Sequence, residues 1–393
     1  MMAMTGDLFD VCVVGAGVEG SSAARYLASW GKNTLLLEQF PLPHCRGSSH
    51  GQSRLVRYGY SQSFLTAVMP EAFEMWSDIE KRAGRTLIRR CGLLTIEEPP
   101  YDDLSRVITN VRGVGQECLQ LTGDEINKRF PGLSLSSSEC GAFEPRSGLI
   151  QADLALTALR EQFVEFGGTL HDAEKVLDIQ PGSIISIKTN KNSYRAKRVI
   201  ITAGPWTNNV LRPLGIQIPL TLQRITVCYW PVLSPHLYSP DKFPGFIFSS
   251  PLGNKNMHVY GFPMFEYPGL IKICPHAGVS IEDADNREGP SRGFDQNYID
   301  SVAELIKARF PGVKPEPSIT ESCIYSVTPD HLFVMDRHPE YKNIVIGAGF
   351  SGHGFKMAPV VGRILTQMVL GEKVSYDVIP FRLSRFTSPK SSL

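Results

Sequence analysis

Phe9-Asp10-Val11-Cys12-Val13-Val14-Gly15-Ala16-Gly17-Val18-Glu19-Gly20, followed by Leu35-Leu36-Leu37-Glu38, decides the fold of this chain. The apolar run Val11 to Val14 predicts a buried strand. Gly15, Gly17 and Gly20 suit the three tasks of a dinucleotide turn: a tight bend, close approach of the backbone to a pyrophosphate, and contact of helix on strand. Ala23, Ala24, Leu27 and Ala28 give the next helix its apolar stripe, Gly31 ends it, and Leu35 to Leu37 predict the second strand. Phosphates rest at the helix N-terminus, so Gly15, Gly17, Val18, Glu19 and Gly20 are the predicted cofactor contacts. Glu38 is placed to accept hydrogen bonds from ribose hydroxyls and repels a 2′-phosphate, which favours FAD or NAD over NADP. A bare GxGxxG is weak among 35 glycines. Strand, helix, strand and acid in that order carry the weight, and they leave the choice between the two dinucleotides open.

At 393 residues the chain exceeds the roughly 250–300 at which one core stops growing, so two closely joined domains are expected. The net charge of +1, with 42% hydrophobic and 20% charged residues, gives no nucleic-acid footprint and no disordered character. The eight cysteines are scattered without a CxxC pair, which argues against structural zinc and against a disulfide scaffold. No apolar run reaches the roughly 18 residues of a membrane span, and no basic, then apolar leader opens the chain. Pro389-Lys390-Ser391-Ser392-Leu393 is similar to the peroxisomal Ser-Lys-Leu address, with serine in the basic position. A peroxisome and its import receptor are therefore expected, with the cytoplasm as the fallback.

His44 to Arg57 lies inside a stretch, Gln39 to Pro70, that has no Asp or Glu and makes a candidate anion site. Glu71 to Gly84, Asp153 to Glu165 and Asn297 to Phe310 predict helices. Ile225 to Trp230, Met257 to Phe262 and Leu270 to Cys274 predict strands of an antiparallel sheet. The expected fold is α/β plus α+β, a Rossmann-like dinucleotide-binding domain joined to an antiparallel-sheet substrate domain. The nucleotide part is assigned to 8–90, 147–222 and 320–385, the substrate part to 91–146 and 223–319, and 386–393 to a flexible tail. Ile344 to Gly352 repeats GxGxxG after a strand, but only 41 residues follow Gly352, too few for a second nucleotide fold. It predicts instead a strand, loop and helix closing over the first cofactor, with Gly352 and Gly354 allowing close approach and Lys356 at the helix mouth.

Three segments, His50-Gly51-Gln52-Ser53-Arg54-Leu55-Val56-Arg57, Ser322 to Asp330 and Gly349 to Lys356, together resemble the monomeric sarcosine oxidase family. The likeness covers nearly the whole chain and is strongest to the animal peroxisomal branch, the sarcosine and L-pipecolate oxidases. It implies that the Rossmann-like domain is FAD-binding and of the glutathione-reductase type, with FAD joined through its 8α carbon to the thiol of Cys323, Ser53 and Arg54 beside the flavin, and Arg57 and Lys356 on the substrate carboxylate. It also implies Tyr260 and His276 as pocket residues, with Tyr325 lining the pocket or packing, and Lys272 as the group that promotes reaction with oxygen. Alternation alone makes Lys272 an exposed strand residue, and a lysine in so apolar a run is costly unless hydrated or paired. Cys274, close to that lysine, is the thiol most easily mistaken for a reactive one. One extra residue stands between Phe265 and Lys272 relative to the bacterial pattern.

The resemblance implies a monomeric FAD oxidase of secondary amino acids, L-pipecolate, sarcosine or L-proline, yielding an imine and reducing O2 to hydrogen peroxide. Its partners are the amino acid and O2, with no metal, nucleic acid or membrane. The alternatives are a flavin dehydrogenase passing electrons to a protein or quinone, and a non-catalytic flavin-binding protein.

Overall fold

The computed structural model describes residues 4–249, 252, 257–287 and 292–386. Its centre is β1 (Met4–Val14), hydrogen-bonded in parallel to β2 (Thr34–Leu37) on one side and to Ser193–Ile201 on the other. Val11 and Val13 pack into one apolar cluster and Cys12 and Val14 into another. Burial on both faces is what an unbroken apolar run dictates for an interior parallel strand. Thr169–His171 extends this eight-stranded sheet beyond β2, and Ile344–Ala348 joins it in parallel on Ser193–Ile201. The second glycine motif is thus the end of a strand of the first sheet, and it leads into Ala358–Leu370.

Helix α1 (Val18–Ser29) packs on that last helix at small residues. A Cβ on Gly362 would stand 2.5 Å from the Ser22 Cβ, and one on Gly20 would stand 2.0 Å from the Gly15 carbonyl oxygen. The predicted helix from Glu71 begins earlier, as α2 (Ser63–Ala83) with Pro70 inside it. Proline removes one ladder hydrogen bond, but the buried stripe Leu65, Met69, Ala72, Phe73 and Trp76 runs through it and outweighs that loss. The helix predicted from Asn297 likewise starts earlier, spanning Arg292–Arg309.

A nine-stranded sheet forms the second layer system. Thr221–Pro231 pairs antiparallel with Ile319–Val327 along its length, from Thr221 opposite Val327 to Tyr229 opposite Ile319. The strand Ile319–Val327 therefore belongs to this sheet, although the expected boundary at 320 assigned it to the nucleotide part. Among the described residues the strand pairs of this sheet are antiparallel except Leu93–Glu97 with Gly245–Ser249, the joint at which the two separate segments of the substrate part meet. Helix Arg292–Arg309 covers one face over a core that includes Trp230, Phe246, Phe248 and Phe310. A small third sheet of β3 (Ser53–Val56), Gly148–Gln151 and Ile88–Arg89 contributes Ser53 and Arg54 at the junction.

Candidate active site

One cleft of about 290 Å³ runs from the β1–α1 turn toward the second sheet. It is lined at one end by Glu38, Arg160 and Lys175, and at the other by Arg54, Tyr325 and Gly352. Gly15 has φ +101, and a Cβ there would stand 2.4 Å from the Thr202 carbonyl oxygen, so only glycine fits. Gly17 differs, because a Cβ on it would meet nothing nearer than the Ser49 hydroxyl at 3.3 Å. Its bareness leaves room in the cleft instead of relieving a protein clash. No side chain caps α1 at Gly17, and the Val18 amide donates to Ser49 Oγ at 3.1 Å, from the acid-free loop that crosses the helix start. The residues present therefore fit the diphosphate of a dinucleotide.

Glu38 lines the cleft with its carboxylate already tied. Oε2 accepts from the Ala16 amide at 3.0 Å, Oε1 from the Phe40 amide at 3.1 Å, and His44 Nε2 stands 3.4 Å away. Burial raises its pKa, but these contacts outweigh it and the net shift is downward. Its first role is to brace the turn, with unused lone pairs left for a ribose. Glu19 behaves oppositely, since burial pushes its carboxyl up to about 7.

The far end gathers side chains from five segments. Arg54 is held by backbone carbonyls, its Nη1 donating to Ser53 at 2.7 Å and its Nη2 to Ser48 at 3.0 Å. Arg57 places its guanidinium 4.4 Å from the centre of the Tyr60 ring, and the Lys356 ammonium stands 5.6 Å from that centre. Lys356 is buried and donates to the His353 carbonyl at 3.3 Å; among the described residues neither cation has a carboxylate partner. Desolvation first, then Arg57 and Arg54, hold the Lys356 pKa well below its ordinary value. Burial and Lys356 likewise push His276 and His353 down to about 3, so both imidazoles are neutral near pH 7.

Tyr325 Oη lies 3.3 Å from His276 Nδ1, and the rings of Tyr260 and His276 meet edge to face at 6.0 Å. Gly352, at φ +76, presses against both Tyr325 and His276, where a Cβ would come within 2.7 Å of each. Gly354 admits Glu19, whose Oε1 lies 2.4 Å from where a Cβ on Gly354 would stand. Cys323 is 6% exposed, with Sγ 4.0 Å from the Ser48 carbonyl, on the same face of its strand as Tyr325. Cys274 is fully buried, and burial raises its thiol to about 11 despite Lys272.

Lys272 departs from the exposed position that alternation predicts. Its side chain is 5% exposed, and Nζ lies 2.9 Å from Oε1 of Glu266, itself 2% exposed. Glu266 also accepts from Ser53 Oγ and, at 2.6 Å, from Tyr229 Oη. Glu266, Tyr229, Tyr60 and His353 are the residues that reading the sequence missed.

The profile of the FAD dependent oxidoreductase family matches residues 10–368. Peroxisomal sarcosine oxidase of Homo sapiens is 45% identical over 388 residues, 98% of each chain. Monomeric sarcosine oxidase of Bacillus sp. (strain B-0618) is 34% identical over 96% of each. Among solved structures, the open form of NikD, an unusual amino acid oxidase essential for nikkomycin biosynthesis, superposes with a TM-score of 0.81 at 25% identity over 98% of each chain. L-proline dehydrogenase from P. horikoshii gives 0.79 at 22% over 97% of this chain and 98% of its own, a likeness of fold.

Proposed function

From a chain that belongs to the FAD dependent oxidoreductases, and within them to the sarcosine oxidases, we propose an oxidase of small secondary amino acids, sarcosine and L-pipecolate foremost. The observation that carries this substrate class is the pair Arg57 and Lys356. Two cations share one aromatic ring beside the cofactor cleft, and among the described residues neither makes an ion pair with a carboxylate, the buried Glu144 acting on Arg57 only through space. Such a pair is expensive until an anion arrives, and an amino-acid carboxylate fits it, bidentate on the guanidinium with the ammonium as a point charge.

FAD supplies the two-electron acceptor. Gly15, Gly17 and the start of α1 hold its diphosphate, Glu38 its ribose, and Arg54 with the Gly349–Gly354 loop its ring. The neutral His276, backed by Tyr325 and Tyr260, accepts a hydrogen bond from the substrate, while the positive charge of Arg57 and Lys356 disfavours a third cation and so holds the amine in its reactive, uncharged form. The apolar walls around them exclude water until the imine leaves. We assign Cys323 as the covalent attachment to the 8α carbon, because its sulfur lies beside Ser48 and Arg54 on the strand face that borders the ring. Lys272 is the cation beside which oxygen is reduced. A monomer in the peroxisome accords with the relatives' names; the terminal Ser391-Ser392-Leu393 lies outside the described residues.

The test is a peroxide assay across sarcosine, L-pipecolate and L-proline. One peroxide per substrate consumed is expected with at least one of them. Turnover without stoichiometric peroxide would make the protein a dehydrogenase, and a flavin that none of them bleaches without air would end the catalytic reading. Acid precipitation should leave the parent protein yellow and Cys323→Ser colourless; a colourless parent removes the covalent bond.

A further inference from the structure

Resting on Lys272 as the group beside which oxygen reacts, we infer that Glu266, Tyr229 and Glu321 form a proton relay that recharges Lys272 from the solvent side. The hydrogen bonds are continuous. Lys272 Nζ donates to Glu266 Oε1 at 2.9 Å, and Tyr229 Oη, 2.6 Å from Glu266 Oε2, is also 3.3 Å from Glu321 Oε2. Tyr267 Oη donates to Glu321 Oε1 at 2.7 Å, and both of these residues are partly exposed, whereas Lys272 and Glu266 are buried.

Register explains how distant residues meet. Tyr229 lies directly opposite Lys272 on one neighbouring strand, and diagonally from Glu321 on the other. Glu321, Cys323 and Tyr325 alternate along Ile319–Val327, so the relay enters on the sheet face that leads to Cys323 and the ring-binding end of the cleft. On the substrate side of the same end His276 and His353 offer no comparable path, being buried, neutral and flanked by cations.

The chemistry requires such a supply. Dioxygen takes two electrons and one proton from the reduced, anionic cofactor and one further proton from the protein, leaving as hydrogen peroxide. Lys272 gives that proton and becomes neutral. Glu321, which accepts from both tyrosines, first takes a proton from water; Tyr229 takes up that proton as it gives its own to Glu266, and Glu266 passes the proton it has gained to Lys272. Each hop follows an existing hydrogen bond, with the Glu266 carboxyl turning to carry the proton gained at Oε2 to the side that faces Lys272, and the net change is one proton taken from solvent. Among the described residues the ionisable groups around Glu266 are Lys272, Tyr229, Tyr267, Glu321, Cys274 and Arg54. A carboxylate fixed only to neutralise a lysine has no need of a tyrosine shared with a second, partly exposed carboxylate.

The experiment measures anaerobic bleaching by substrate and reoxidation by oxygen separately, in the holoenzymes of the parent, Glu266→Gln, Tyr229→Phe and Lys272→Met. Tyr229→Phe is the mild variant that keeps the test decisive if Glu266→Gln folds poorly. Expected is reoxidation slowed about tenfold or more in both relay variants, with bleaching kept and partial rescue by small weak-acid buffers. A readout independent of turnover is the ultraviolet tyrosinate titration: Glu266→Gln should gain a one-tyrosine step at lower pH that vanishes when Tyr229→Phe is added. Parent-like reoxidation in Tyr229→Phe, or no such step, overturns the relay while a slow Lys272→Met keeps that lysine's role. A fast Lys272→Met overturns the role itself.

Discussion

The two ends of the cleft solve opposite electrostatic problems. At the nucleotide end the charged group, Glu38, is satisfied by the protein's own Ala16 and Phe40 amides before anything binds. At the substrate end Arg57 and Lys356 make no ion pair among the described residues, Glu144 acting on Arg57 only through space. The nucleotide end is thus a finished shape to be filled, and the substrate end is a charge imbalance to be corrected. Lys272 stands between these cases, a buried cation that brings its own acid.

The imbalance predicts the largest effect. Arg57→Ala and Lys356→Ala should each weaken a carboxylate ligand by about 2–5 kcal/mol if the pairs it makes are desolvated, as read by anaerobic titration of the flavin spectrum. Lys356 is held well below its ordinary pKa without an anion, so binding a carboxylate should take up a proton and affinity should fall as pH rises past that depressed value. Affinity unchanged in both variants would show that the substrate end is balanced by something else.

A second test contrasts two glycines at the finished end. Gly20→Ala drives a Cβ to 2.0 Å from the Gly15 carbonyl oxygen, so overpacking should lower stability by about 1–3 kcal/mol, read in thermal melting. Gly17→Ala meets only a hydroxyl at 3.3 Å, so the protein should melt nearly as the parent does and yet hold FAD poorly. Equal flavin content in Gly17→Ala and the parent would mean that the diphosphate does not approach there.

The same contrast governs what the sequence made legible. The β1–α1–β2 unit lies within Met4–Leu37 and is shaped by local rules of strand, turn and helix, so its glycines and acid could be placed from residue types alone. The substrate end is assembled from Arg57, Tyr260, His276, Tyr325 and Lys356, far apart in the chain, and only family likeness assembled them. Lys272 shows what was overlooked. A lysine in an apolar run demands a nearby acid, and Glu266 is the one acid between Tyr260 and His276. Tyr229 and Glu321 carried no such signal, because their meeting depends on strand register. Helix α2 begins earlier than the Glu71 start read from the sequence because its buried stripe from Leu65 to Trp76 carries it through Pro70.

Glu19 gives the smallest effect and the sharpest boundary between the two ends. It sits in the first turn of α1, at the nucleotide end by sequence, yet its carboxyl reaches Gly354 in the loop that closes the substrate end. Burial raises its pKa from 4.5 to about 7, so the folded protein binds this proton more tightly than the unfolded chain. The stability this contributes is complete below pH 4.5 and is lost as pH rises through about 7. Because the carboxyl borders the open cleft, solvent screens part of the effect and about 1 kcal/mol is expected. Glu19→Gln should melt with the parent at pH 4.5 and above it at pH 8, with the gap opening between those values. The phosphates of bound FAD add like charge at the helix start, which should make the gap larger and carry its growth to higher pH in the flavin-loaded protein than in flavin-free protein prepared on a Cys323→Ser background. The same curve for both forms would place Glu19 outside the cofactor's field and assign its carboxyl to the closing loop alone.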